Sequence, residues 1–217
     1  MFWDLLSDDD KEAIRGAGVK TTYPAGNMLF HYGDEPTHVL VLLNGLVKLT
    51  LTSVDGREVM IELRGAGNML GELGPIDSLP RSTSVMVIED VEAIVVPTSA
   101  FRQLLLDRGT LSYAVLTLVA EKLRQSTQRR LEAGVGDAHA RLCGRLVELA
   151  ESAEMGSDGV IEVNSPLTQQ ELADWIGVSR DAIVLALRRI RELGWIETGR
   201  RTIRIHDLEA LRRAAVE

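Results

Sequence analysis

The feature that most constrains this chain is one change of period, at Pro97. Before it, from about residue 20, the sequence is broken into short β-rich runs: Met28–His31, Val39–Leu43, Val47–Thr52, Val59–Leu63, Ser84–Ile88 and Ala93–Val96. Glycines punctuate them. After it the apolar spacing becomes helical and stays so to about residue 132. Many short strands with regular turns imply an all-β roll or sandwich. Asn44-Gly45 and Asp55-Gly56 are expected as tight turns between strands, because both positions of such a turn take φ > 0. A short amphipathic helix is expected over residues 5–16, with Ser7 as N-cap and acids in its first turn.

In the long helical stretch, Leu116, Ala120, Leu123 and Thr127 follow a 4-3-4 spacing, and Tyr113 extends the row backwards. This is a coiled-coil-like seam. Two partners fit it: the chain's own β domain, or a second copy of the helix in a symmetric dimer, which is the economical answer. Gly134-Val-Gly-Asp137 then breaks the helix, since a glycine in a helix interior costs about 1 kcal/mol relative to alanine. Asp137 can cap a next helix over about 138–153. The expected organisation is a β domain over 1–106, a helix and hinge over 107–136, and a C-terminal domain over 137–217.

That C-terminal part carries the sharpest motif. Thr168 and Glu171 form a capping box, Gly177 permits a tight turn, and Ser179 caps a second helix. Leu172, Ala173, Ile176, Val178, Ile183 and Leu187 would lock the two helices together, as in a helix-turn-helix. The first turn of such a second helix faces base edges in the major groove. There Arg180 can be bidentate to guanine and Asp181 can accept from a cytosine amine. Thr168, Gln169 and Gln170 open the first helix, where short polar groups meet phosphate. Trp195–Ile205 reads as two short strands around a basic turn, a wing with Arg200 and Arg201 at its tip. The whole chain is acidic, with a net charge of −8. Against that, residues 179–204 hold seven arginines and three acids, a local +4. A purely structural helix pair with a solvated arginine face is the bland alternative.

In the β domain, Gly71-Glu72-Leu73-Gly74 and Pro80-Arg81-Ser82-Thr83 lie either side of a loop. A carboxylate on a glycine-rich turn, followed by an arginine and hydroxyls, suits a sugar phosphate. Glu72 could accept from a ribose 2′-hydroxyl, Arg81 could neutralise a phosphodiester, and Ser82 could add a hydrogen bond. Considered alone, a Glu…Arg pair also reads as a structural salt bridge.

At this point a resemblance enters. Residues from about 20 to 205 resemble the CRP/FNR family of transcription regulators. The residues that carry it are Tyr23-Pro24, Gly33, Gly45, Gly56, Gly67, Gly71-Glu72-Leu73-Gly74, Arg81-Ser82, Ser126-Thr127, Ser179-Arg180 and Gly199…Thr202-Ile203. The resemblance implies an α+β fold: an N-terminal β-roll, cyclic-nucleotide-binding and jelly-roll-like, then a long dimerisation helix and a C-terminal winged helix-turn-helix. It implies a cyclic nucleotide, cyclic AMP first, on the cassette Gly71, Glu72, Leu73, Gly74, Arg81, Ser82 and Thr83, with Ser126 and Thr127 on its purine. The residues themselves also allow Thr127 to be a polar register residue on the seam. The expected partners are a second copy of the chain, double-stranded DNA with a palindromic operator, and RNA polymerase. Departures from the enterobacterial member are a shorter cassette loop, Glu62 in place of a small hydroxyl residue, Asp181 in place of a glutamate, and Leu185 in place of a second base-reading arginine. The operator sequence should therefore differ.

Other classes fit less well. One cysteine, Cys143, rules out an intrachain disulfide and a multi-cysteine metal site. A cupin-type metal enzyme needs clustered histidines, and only four are present: 31, 38, 139 and 206. Haem through His31, His38 or His139 is specified by nothing in the sequence. No nucleophile–base pair or phosphate-binding P-loop is visible, so an enzyme is not expected. A cyclic-nucleotide-binding signalling module without DNA binding is the remaining competitor. The N-terminus lacks the basic and apolar regions of a signal peptide. The longest run of valine, leucine and isoleucine, Val39–Leu43, is far too short to span a bilayer. The expected location is the cytoplasm, away from membranes.

Overall fold

A computed structural model describes residues 1–52, 58–135, 137–151, 153, 156, 159–164, 167–199 and 202–216; the side chains of 128–135 and 164 are not among those described. The chain divides into two compact units, Met1–Gln125 and Ser126–Glu217.

The first unit opens with a 3₁₀ turn, Phe2–Leu5, and helix α1, Asp8–Ala17. Ser7 caps α1 by accepting from the Asp10 amide at 3.2 Å. Then come β1 (Val19–Tyr23), β2 (Met28–Phe30), β3 (His38–Thr52), β4 (Glu58–Gly65), β5 (Met69–Leu70), the helical turn α2 (Gly74–Asp77) and β6 (Ser84–Pro97). All six strands form one antiparallel sheet in the order β1-β6-β3-β4, with β2 on β6 and β5 on β3. The central pair β3–β6 is buried on both faces. Leu40 and Leu42 face one core, with Phe30, Leu70, Val87 and Ala93. Val39 and Val41 alternate to the other, with Phe2, Ile14, Ile94, Val96 and Phe101. This is why Val39–Leu43 is an unbroken aliphatic run.

Three expectations need correction. Val39–Leu43 and Val47–Thr52 are one strand, not two, and so are Ser84–Ile88 and Ala93–Val96. Asn44-Gly45 is not a turn between strands but an irregularity within β3, where the register to β6 shifts. Gly45 does have the positive φ, +89°, that the pair signals, and a Cβ there would meet the Asp90 carbonyl oxygen at 2.2 Å. A bulge that bends a strand uses that freedom as well as a hairpin does. Asp55-Gly56 lies outside the described residues; β3 and β4 pair in antiparallel fashion on either side of it.

The third correction concerns the helix after Pro97. It is two helices, α3 (Thr98–Asp107) and α4 (Gly109–Val135), broken at Arg108, whose backbone is extended. Asp10 organises this joint. Its buried carboxylate accepts from Thr110 Oγ1 at 2.7 Å, Ser7 Oγ at 2.8 Å and Arg108 at 3.3 Å. The unit boundary falls within α4, which starts in the first unit. One face of α4 gives Leu111, Ala114, Val115 and Leu118 to the core. About 200° around the helix, two residues on at 100° each, Tyr113, Leu116 and Leu123 are 73%, 64% and 68% exposed.

In the second unit, α5 (Ala138–Glu151) is capped by Asp137, which accepts from the Ala140 amide at 2.9 Å. Gly136 lies outside the described residues. β7 (Ile161–Asn164) precedes α6 (Gln169–Ile176) and α7 (Arg180–Glu192). β8 (Ile196–Thr198), β9 (Thr202–Ile205) and α8 (Leu208–Ala214) follow. The strands form a sheet in the order β7-β9-β8. β7 is a strand that the sequence reading did not anticipate. Leu142, Cys143, Leu146, Ile183, Ile190 and Leu211 are the buried centre of this unit.

Candidate functional sites

The cassette segments meet at one cavity of about 330 Å³ in the first unit. Gly71, Glu72, Leu73, Gly74, Arg81, Ser82 and Thr83 all line it, with Phe30, Leu49, Ile61, Glu62, Arg64, Val85, Val119, Lys122 and Leu123 among its other walls. Local chemistry sets this shape. Gly71 has φ +77°, and a Cβ on it would meet Arg81 Nη1 at 2.2 Å. Only glycine lets the guanidinium lie against the chain here. The Arg81 backbone is fixed by the turn at Gly33-Asp34: its amide donates to the Asp34 carbonyl at 2.8 Å, and its carbonyl accepts from the Gly33 amide at 2.9 Å.

Arg81 itself is buried. Its guanidinium lies 3.7 Å from the centre of the Phe30 ring and donates to the carbonyl oxygens of Gly71, at 3.4 Å, and His38. Its Nε is buried without a hydrogen-bond partner among the described residues. Burial pulls it below the ordinary arginine range, against the more distant charges of Asp34 and Glu72. It forms no ion pair with Glu72. The two residues share the cavity but have separate contact partners.

The partners of Glu72 are Lys122 and Arg64. Lys122 Nζ pairs with Oε1, and Arg64 Nη1 stands 3.6 Å from it. Burial alone would raise the carboxyl of Glu72, but the two cations outweigh it and hold the group below the usual carboxylate range. Arg64 also donates to Glu62 at 2.8 Å and to the Met69 carbonyl at 3.0 Å. Two carboxylates and two cations neutralise one another in this cluster. Among the described residues, Arg81 is left as a cavity-lining cation held by carbonyls. A buried cation without an ion-pair contact is costly, and an anion entering the cavity would relieve that cost.

Sequence reasoning missed Arg64 and Lys122. Lys122 follows Val115, Leu118 and Val119 at helical spacing, a row whose members are buried or half-buried; that row was the available signal. Ser126 and Thr127 belong to the second unit and are exposed on α4, about one turn beyond Leu123. Among the described residues, no group of three or more His, Cys, Asp or Glu side chains is placed to hold a metal ion. Nor is any helix long and apolar enough to cross a membrane.

The second unit builds the helix-turn-helix. Both halves of the capping box form: the Glu171 amide donates to Thr168 Oγ1 at 3.2 Å, and Glu171 Oε2 accepts from the Thr168 amide at 2.9 Å. Gly177 closes α6 with φ +73°, and Ser179 caps α7 by accepting from the Ala182 amide at 3.2 Å. Leu172, Ala173, Ile176, Ile183 and Leu187 are buried between the helices, and Val178 is half-buried. The outer face of α7 presents Arg180, Asp181, Val184, Leu185, Arg188 and Arg189 to solvent. Thr168, Gln169 and Gln170 are exposed; Gln170 donates to Asp174 at 2.9 Å. A smaller cavity of about 190 Å³ lies beside Gln169, lined also by Arg191, Thr198, Gly199 and Thr202. The Gly199 amide donates to the Thr202 carbonyl at 2.8 Å and closes the β8–β9 hairpin. Arg200 and Arg201, expected at its tip, lie outside the described residues.

Comparison with known proteins decides the family. The cyclic nucleotide-binding domain family matches residues 20–108, and the Crp-like helix-turn-helix domain family matches residues 140–214. A curated relative, the CRP-like cAMP-activated global transcriptional regulator of Mycobacterium tuberculosis, is 30% identical over 193 residues, 89% of this chain and 86% of that protein. The chain belongs to the CRP/FNR family of transcription regulators. This CRP/FNR regulator also shares its fold with FixK2 from Bradyrhizobium japonicum: the TM-score is 0.79 at 17% identity, over 91% of this chain and 96% of that one. A CRP-family transcriptional regulator of Thermus thermophilus gives a TM-score of 0.73 at 21% identity, over 91% and 97%. The α+β class, the roll, the long helix and the winged helix-turn-helix are thus the family's. The regulator is a ligand-responsive DNA-binding protein with a cyclic-nucleotide-binding domain.

Proposed function

We propose that this regulator is gated by a cyclic nucleotide, with cyclic AMP as the first candidate. The observation that carries the reading is Arg81, a buried guanidinium on the cavity with no ion-pair partner among the described residues. A cyclic phosphodiester bears one negative charge and would match that single cation. Ser82 and Thr83 would add hydroxyls to the phosphate, and Gly71, Leu73 and Gly74 would shape the turn. Glu72 would accept from the ribose 2′-hydroxyl while remaining paired to Lys122. Ser126 and Thr127 would meet the purine, and the relative named for activation by cAMP supports that nucleotide.

The working form is a homodimer through Tyr113, Leu116, Ala120, Leu123 and Thr127. The exposure of three large apolar side chains on a helix whose opposite face is core supports this. A two-fold dimer would set two copies of α7 about 34 Å apart on a palindromic operator. Arg180 and Asp181 would read bases there, Thr168, Gln169, Gln170 and Ser179 would sit at the backbone, and Arg200 and Arg201 would reach the flanking phosphates. RNA polymerase is the partner through which a DNA-bound regulator of this kind would act. Its place is the cytoplasm, and its role is binding, not catalysis. The domain limits we adopt remain 1–106, 107–136 and 137–217.

Isothermal titration with cyclic AMP and cyclic GMP tests the gate, using the wild type, Arg81→Ala and Arg81→Lys. Saturable binding weakened about 10²-fold or more in Arg81→Ala, as loss of hydrogen bonds to a charged partner entails, supports the site. Equal binding by wild type and both variants, at unchanged melting temperature, would remove Arg81 from the ligand.

A further inference from the structure

The outer face of α7 has an apolar centre. Val184 and Leu185 are 37% and 66% exposed, and they lie one turn beyond Arg180 and Asp181 on the same face. Arg188 and Arg189 follow them one turn later, and Arg188 is tied to Glu192 at 2.8 Å. On a helix packed through Ile183, Ala186, Leu187 and Ile190, Leu185 contributes nothing to the fold's interior. It stands where the helix meets whatever α7 binds.

The floor of the major groove offers such a side chain one apolar feature, the C5-methyl group of thymine. Apart from the small C–H edge of cytosine, the other groups there are hydrogen-bond donors or acceptors that an isobutyl side chain would strip of water without replacement. We infer that Leu185, flanked by Val184, is a specificity-determining residue that selects a thymine by contact with its methyl group. The inference rests on the DNA-binding role of α7 and adds to it a base that no hydrogen bond reads.

The test uses the full-length protein with saturating cyclic AMP, with saturating cyclic GMP, and with neither. Duplexes are enriched from a random pool, and each thymine of the enriched sequence is then replaced singly by deoxyuridine, which removes the methyl group alone. Binding is read by fluorescence anisotropy for wild type, Val184→Ala and Leu185→Ala; the exposed position of Leu185 leaves folding unaffected. One thymine per half-site should lose about fourfold in affinity on demethylation in the wild type, the value of one buried methyl group, and nothing in Leu185→Ala. Failure to enrich any sequence in all three conditions would overturn the DNA-reading role and this inference with it; enrichment in only one condition identifies the gate and leaves the thymine test in force. An enriched operator without a methyl-dependent thymine would overturn this inference alone. So would a demethylation loss that survives unchanged in Leu185→Ala.

Discussion

Lys122 on the long helix forms an ion pair with Glu72 in the cassette, where the carboxylate is buried. The pair has a consequence for stability. Burial and the repulsion of Arg64 pull Lys122 below the ordinary lysine range, and Glu72 only partly offsets them. Removing one partner of a buried pair is strongly destabilising because it leaves a charge unmatched. Lys122→Met should cost about 3 kcal/mol, the lower end of that effect, since Arg64 stays 3.6 Å from Glu72. Adding Glu72→Gln should return part of the loss. Urea unfolding of the two single variants and the double variant measures this coupling.

Gly71 gives a sharper test of cassette geometry. Gly71→Ala would force a left-handed backbone on a residue with a Cβ, at about 1–2 kcal/mol. It would also push the methyl group into the Arg81 guanidinium, which is pinned by Phe30 and two carbonyls. Nucleotide binding by calorimetry should fall at least tenfold, with a melting temperature lowered by only a few degrees. Gly26→Ala is the control: it has a similar φ of +89° and nothing within 4 Å of its Cβ, and should leave nucleotide affinity unchanged.

These two cases show what the sequence conveyed and where it stopped. That Gly71, Glu72, Arg81 and Ser82 come together at one cavity was legible, because they are close in the chain and carry a local pattern. Arg64 and Lys122 were not, because their relation to Glu72 is made by strand pairing and helix packing. Asn44-Gly45 correctly signalled a positive φ, but φ alone does not distinguish a bulge from a hairpin. The break at Arg108 lacked a proline to announce it and is held by Asp10, distant in sequence. The helix-turn-helix was legible almost entirely, since its caps, turn glycine and apolar positions are all local. The strand β7 was not, because its four residues become a strand only through pairing with β9.

The seam on α4 separates two leucines of opposite role. Leu116 is exposed and Leu118 is buried in the core. Leu116→Glu should convert a dimer into a folded monomer, with sedimentation equilibrium reporting half the mass and far-ultraviolet dichroism unchanged. Leu118→Glu should instead unfold the first unit, since an unpaired buried charge costs several kcal/mol. A dimer that persists in Leu116→Glu would refute the seam.

Asp10 predicts acid sensitivity at the α3–α4 joint. Burial would raise its carboxyl, but the hydrogen bonds from Thr110 and Ser7, and then Arg108, hold it below the usual value of 3.8. A carboxyl depressed in the folded state adds stability above its unfolded pKa, and that stability is lost as the pH falls through the folded value. Asp10→Asn should therefore be clearly less stable than wild type at pH 7. The gap should close on titration below pH 4. Thermal unfolding across pH 3 to 7 reads it; a gap independent of pH would show that the ionised carboxylate is not what holds the joint.

Cys143 predicts the opposite limb. Burial, then the charge of Asp137, pushes its thiol up from 9.0 to about 12. A group whose folded pKa is raised gives stability that is complete below the unfolded pKa and lost as the pH rises towards the folded one. The window is therefore pH 9 to 12, where the unfolded thiol ionises and the folded one does not. Cys143→Ala leaves a small cavity and should be less stable than wild type at pH 7. Raising the pH to 10 should cost the wild type about 1 kcal/mol more than the variant, since each pKa unit is worth 1.36 kcal/mol. The same burial makes the native thiol inert: a disulfide reagent at pH 8 should label it only at the rate of unfolding, and at once in urea. Rapid labelling of the native protein would show that helix α5 opens without global unfolding.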